Sequence, residues 1–191
     1  MPSCIGHALT GTVIALYERR PIPWLWLSWL IFLAGFPDIE YLALWFFGVN
    51  FPIRYSHSLV VCTFLPLFTT FWLWRRPMRE RGFRVAQTFA AGWSHPVLDL
   101  LTGVSTLPLF WPLSDTSFRL PFGILPSAGR LSWDNVYLYR NLGIELGILA
   151  PLYSLIVFGG AIRRHPLRHR IISGHLAILL PCLIAGITLY R

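Results

Sequence analysis

Six apolar segments, set apart by short clusters of arginine, constrain this chain more than any other feature. They cover residues 4–17, 22–36, 56–74, 85–102, 142–160 and 171–189, with a shorter apolar piece, "YLALWFFGV", at 41–49. A membrane span needs about 20 apolar residues, and lipid leaves a backbone no partner but itself, so each segment is read as a helix. With 55% hydrophobic and only 13% charged residues, the chain falls outside the range of ordinary water-soluble domains. Its 191 residues leave room for one integral-membrane domain, 1–191. The expected fold is all-α, a polytopic membrane helix bundle of about six spans. Residues 104–141, rich in proline, glycine, serine and aromatics, are expected to form a re-entrant or interfacial cap. The 41–49 piece is too short to cross and is expected to re-enter or lie along the interface.

All sixteen basic residues are arginine, and most fall in "ERR" at 18–20, "RRPMRERGFR" at 75–84 and "RRHPLRHR" at 163–170. Short arginine-rich loops orient membrane helices with the basic side cytoplasmic. Applied here, the rule closes without conflict, with eleven arginines inside and five outside. The net charge of +8 is therefore assigned to topology and not to nucleic acid, and it is compatible with anionic lipid headgroups. Trp24, Trp26, Trp29, Trp72 and Trp74 are expected to form an inner aromatic belt. Cys4, Cys62 and Cys182 are isolated, with no zinc or disulfide spacing. The N-terminal apolar stretch precedes its arginines, so the first segment is expected to stay in the mature protein. No internal repeat is visible.

With topology set by arginine alone, the remaining ionisable residues can be placed independently. His7, Asp38, Glu40, His57, His95, Asp99 and Glu145 all land toward the outer ends of their segments. Charged and polar groups are costly in lipid and mark function there. Imidazole and carboxylate together are the ligand set of zinc and related divalent ions. His95 and Asp99 stand at i and i+4, on one helix face. Pro96 disfavours helical geometry at His95, so a kink or a helix start is expected there. Singly, each residue admits a plainer role: an interhelical hydrogen bond or ion pair for His95 and Asp99, an N-cap for Asp38, a cap or interface position for His57, a core site for His7. Jointly they read as a metal site. His165 and His169 belong to an arginine-rich loop, and His175 faces no partner that the sequence identifies.

The stretches "IGHALTG", "GFPDIEYL", "RYSHSL", "GWSHPVLDLLTG" and "LPLFWPLSDTSFRLPFG" resemble, in that order, the YdjM-like family of predicted inner-membrane metal-dependent hydrolases. The resemblance spans about the first two thirds of the chain and implies His7, Asp38, His57, His95 and Asp99 as metal ligands. Many relatives carry a further histidine where this chain has Pro52, and often an aspartate where it has Glu40. The ligand order is also similar, more distantly, to zinc-dependent phospholipase C and single-strand nucleases of that fold. That likeness implies a bridging role for Asp99 and a metal role for Glu145, although Asn141 stands where a histidine would precede Glu145.

The resulting expectation is a membrane-embedded metal-dependent hydrolase using a divalent metal, zinc, on a phosphoester of a lipid or lipid-linked substrate. Its site would face the periplasmic or extracellular side of a bacterial cytoplasmic membrane. Asp38 and Asp99 would combine ligand and proton-acceptor roles, and Arg54 would stabilise an anionic substrate, with Arg119 a second candidate. Two alternatives stay open: a structural or regulatory metal site, and a divalent-cation transporter, which calls for midplane sites and often repeat symmetry.

Overall fold

A computed structural model describes residues 3–17, 21–49, 53–75, 77–104, 106–127 and 133–189. Among them the chain is all-helical: α1 Cys4–Leu16, α2 Trp24–Gly35, α3 Glu40–Phe47, α4 Leu59–Trp72, α5 Met78–Leu101, α6 Val136–Arg164 and α7 Arg168–Leu189. The first arginine cluster at 18–20, Pro52, Arg76 and cap residues 105 and 128–132 lie outside the described residues. Polar side chains start three of the helices. Ser3 Oγ accepts the Gly6 N–H, Ser58 Oγ accepts the Val61 N–H and Asn135 Oδ1 accepts the Tyr137 N–H, each satisfying a donor the helix leaves open.

Two helices, α6 and α7, are long and apolar enough to cross a membrane. Only 22% and 11% of their apolar windows are buried, so they are not the core helices of a water-soluble fold. Their exposed faces suit lipid. The remaining apolar helices are shorter than the six-span expectation requires. With 13, 12 and 14 residues, α1, α2 and α4 reach only about 18–21 Å at 1.5 Å per residue, against about 30 Å of hydrocarbon. A 3₁₀ turn, Phe36–Ile39, carries α2 on into α3.

Several sequence expectations are corrected. The arginine cluster at 78–84 is not a loop but the start of α5. Arginine is a good helix former whose charge can reach outward along its stem. The Arg81 guanidinium lies over Trp74 and that of Arg84 over Trp26. No helix starts at Pro96, because α5 runs continuously from Met78 to Leu101 with the proline inside it, as membrane bundles allow. Capped by Asn135, α6 begins at Val136, so its first turn takes the last residues expected for the cap. Trp26 does not join an exposed belt: it is 7% exposed and donates its indole N–H to Gln87 Oε1 at 3.0 Å. Trp24, Trp72 and Trp74 are exposed, as a belt requires. His175 does find partners, Ser154 Oγ and the Ile171 carbonyl, which tie α7 to α6 and to its own preceding turn.

The core has two parts. Ala15, Trp26, Leu30, Leu33 and Ala91 join α1, α2 and α5 toward the arginine-rich end. Leu98, Leu125, Ile148 and Leu179 join α5, α6, α7 and the cap. The cap is an irregular strap, pinned by the paired Leu107 and Phe118 backbones and by the Leu59 N–H donating to the Leu109 carbonyl. Gly103, at φ 65°, turns the chain out of α5, and Arg119 Nε donates to its carbonyl at 2.5 Å.

At Gly11, α1 and α2 meet backbone to backbone. A Cβ there would sit 2.7 Å from the Leu30 carbonyl oxygen and 2.8 Å from Ile31 Cα. Small residues let membrane helices approach in this way. Gly11→Ala should therefore destabilise the bundle by about 1–3 kcal/mol, the usual cost of overpacking. Thermal unfolding in detergent measures it; an unchanged midpoint would show that the α1–α2 contact is looser than described.

Candidate functional site

Four stretches of chain deliver five side chains to one buried point. His7 closes the first turn of α1, Asp38 projects from the 3₁₀ turn after α2, His57 ends the 3₁₀ turn Tyr55–His57, and His95 and Asp99 share a face of the last turns of α5. His7, His57, His95 and Asp99 are fully buried, while the Asp38 side chain is 13% exposed. The His7 and His95 rings stack with centroids 3.9 Å apart, and His57 meets His95 edge-on at 4.9 Å. Asp99 reaches His7 Nε2 with Oδ1 at 3.6 Å and His57 Nε2 with Oδ2 at 3.4 Å. Asp38 Oδ1 stands 3.7 Å from His57 Nε2 and 3.6 Å from His95 Nε2.

Hydrogen-bond wiring behind two of the rings fixes what they present. His95 Nδ1 lies 2.7 Å from the Ala34 carbonyl, which can only accept, so the proton sits on Nδ1 and Nε2 offers a lone pair. For His57 the reasoning takes one more step. Ser56 Oγ donates its single proton to the Pro37 carbonyl at 2.7 Å, so at 3.0 Å it must accept from His57 Nδ1. Both Nε2 lone pairs thus face inward, toward carboxylate oxygens that are also acceptors. His57 Nε2, His95 Nε2, Asp38 Oδ1 and both Asp99 oxygens are buried with no hydrogen-bond partner among the described residues, as are both nitrogens of His7.

Each such orphan costs about 1–3 kcal/mol, and the inward lone pairs of His57 and His95 cannot relieve the oxygens of Asp38 and Asp99. A cation can. The donor set of imidazole nitrogen and carboxylate oxygen suits zinc and its neighbours. Two triplets, His7/Asp38/His95 and His57/His95/Asp99, each hold their ligand atoms within 4.8 Å of one another. Imidazoles anchored through the far nitrogen are the usual arrangement behind a bound metal.

The other expected residues stand outside these triplets. Glu145 is fully buried, but both its oxygens take the Ser3 N–H, at 3.0 and 2.9 Å. Glu40 accepts the Ser56 N–H at 2.9 Å, with its other oxygen 3.9 Å from His57 Nδ1. The Arg54 guanidinium lies over the Tyr41 ring at 5.4 Å, and its buried NH1 has no hydrogen-bond partner among the described residues. Arg119 is committed to Gly103 at the cap. Sequence reasoning missed Ser56, for which the signal was its place beside His57 in "RYSHSL". It also missed the Ala34 and Pro37 carbonyls, which no side chain announces.

Apolar helices with largely exposed faces, closing over a buried cluster of imidazoles and carboxylates, define a membrane protein with a polar centre. The family model for the YdjM inner membrane protein matches residues 1–189, and the chain belongs to that family. No curated protein and no solved structure matches it.

The wiring has a direct spectroscopic consequence. In metal-free protein in mildly alkaline buffer, ¹⁵N NMR of labelled histidine should show His57 and His95 as Nδ1–H tautomers. Nε2–H tautomers at these two positions would contradict the inward lone pairs.

Proposed function

We propose that this protein is a membrane-embedded metal-dependent hydrolase, with a divalent cation, zinc, held by His7, Asp38, His57, His95 and Asp99. The observation that carries the reading is the convergence of buried histidine nitrogens and carboxylate oxygens that find no hydrogen-bond partner among the described residues. When bound, a divalent cation supplies Lewis acidity and a nucleophile at neutral pH. The chain's own residues do the rest. His57 and His95 present fixed lone pairs, and Asp99 spreads its two oxygens between His7 and His57. Asp38, the one cluster residue with some exposure, is placed to take a proton from the open side. Arg54, with a buried and unspent N–H, supplies positive charge for an anionic substrate. The distant likeness to zinc-dependent phospholipase C favours a phosphoester.

A lipid or lipid-linked substrate fits the surroundings. Phe46 and Phe47 of α3 and Phe110 and Leu113 of the cap are exposed apolar side chains beside the elements that carry Asp38 and His57. We place the cluster at the outer face of the bacterial cytoplasmic membrane in a multi-pass arrangement. Along α5, Arg81 and Asp99 are separated by about 27 Å at 1.5 Å per residue, so arginine and cluster mark opposite ends of one helix. The positive-inside rule then puts the arginines in the cytoplasm.

A second reading, a structural metal site, is favoured by the full burial of four of the five residues. One experiment separates the two. Detergent-purified wild type should carry zinc and hydrolyse members of a panel of phosphodiesters and phospholipids. Asp99→Asn should lose both by more than the roughly 10–100-fold typical of an outer-shell change, and His95→Ala should fold yet fail to turn over. Wild type free of transition metal after careful handling would remove the proposal, whereas loss of folding in His95→Ala would favour the structural role.

A further inference from the structure

Two buried or half-buried glutamates stand just behind the cluster, and each makes the same contact. Glu145 reaches from α6 to the Ser3 N–H, at the start of the helix turn that ends on His7. Glu40 reaches from the start of α3 to the Ser56 N–H, in the 3₁₀ turn that ends on His57. We propose that Glu40 and Glu145 are positioning residues, which lock the backbone turns carrying His57 and His7 and so aim those two rings without serving as metal ligands. The inference rests on the cation-binding reading above and goes further, because it separates the acids that hold the cation from those that hold the chain.

The two histidines need such support for different reasons. His7 makes no hydrogen bond through either nitrogen among the described residues, so its place depends on the path of α1 and on its stacking against His95. The α1 backbone is fastened at its first turn, where Ser3 caps the Gly6 N–H and Glu145 takes the Ser3 N–H. A carboxylate there also meets the positive end of the helix dipole. Gly6 is what admits it: a Cβ on Gly6 would lie 1.9 Å from Glu145 Oε1. His57 is aimed by Ser56, whose hydroxyl spans His57 Nδ1 and the Pro37 carbonyl. Glu40 holds Ser56 through its N–H, and so couples the turn bearing His57 to the stretch bearing Asp38.

The test exploits the difference between a ligand and an acceptor. An amide oxygen still accepts an N–H but is a poor metal ligand. Glu40→Gln and Glu145→Gln should therefore keep zinc stoichiometry and lose less than about tenfold in affinity, whereas Glu40→Ala and Glu145→Ala should lose about 10–100-fold. Gly6→Ala, which changes no charge but dislodges the Glu145 carboxylate, should behave like Glu145→Ala. Cobalt(II) absorption provides the readout that a merely structural role would not move: both Gln variants should keep the wild-type bands, since the ligands are unchanged. Gln variants that lose metal as Asp99→Asn does, or shift the cobalt bands, would make the glutamates ligands and overturn the proposal. Ala variants that bind zinc as tightly as wild type would overturn it too. Should an Ala variant fail to fold, the Gln variants and their bands still decide. Absence of zinc from wild type would instead defeat the underlying reading, and is seen in the control before any variant is compared.

Discussion

Everything distinctive about this molecule follows from two imidazole protons pointing the wrong way for a hydrogen-bonded core. His95 gives its Nδ1 proton to Ala34, and His57 gives its own to Ser56. Had either ring turned over, an N–H would have faced Asp38 or Asp99 and the cluster could have satisfied itself with ordinary hydrogen bonds. Instead the Ala34 carbonyl of α2 and the Ser56 hydroxyl take the protons. The lone pairs are left to converge on carboxylates at buried positions, where each unmet acceptor is expensive. A positively charged group would complete such an arrangement.

Much of the candidate site could be read from the sequence because its residues are conspicuous. A histidine or aspartate inside "GWSHPVLDLLTG" is costly in lipid, and arginine placement alone assigned all five residues to one end. What could not be read were the parts that depend on a neighbouring element. Glu145 looks like a ligand in sequence, yet in the fold its oxygens meet the Ser3 N–H. Trp26 looks like a belt residue, but α5 brings Gln87 against its indole and buries it. A backbone carbonyl such as that of Ala34 has no residue signature, so the feature that sets the tautomer of His95 was invisible.

The helix boundaries show a related limit. Apolarity marked where segments could lie in a membrane but not where helices begin, because arginine and proline do not end a helix by themselves. The run 78–84 is helical, with the Arg81 and Arg84 guanidinium groups laid over tryptophan rings, and Pro96 passes inside α5. The number of full crossings is likewise a matter of length. Among the described residues only α6 and α7 are both long and apolar enough; α5 has the length but opens on the arginine run, and α1, α2 and α4 are shorter than a crossing needs.

The unbroken course of α5 has a mechanical meaning. One continuous rod carries the Arg84–Trp26 contact near its beginning and both His95 and Asp99 near its end. Its partner α2 touches that rod through Trp26 and continues into the turn holding Asp38. A tilt of the pair would swing Asp38, His95 and Asp99 together relative to His57. Movement at the arginine-bearing end of the pair would thus be geared to the spacing of the polar centre at its other end.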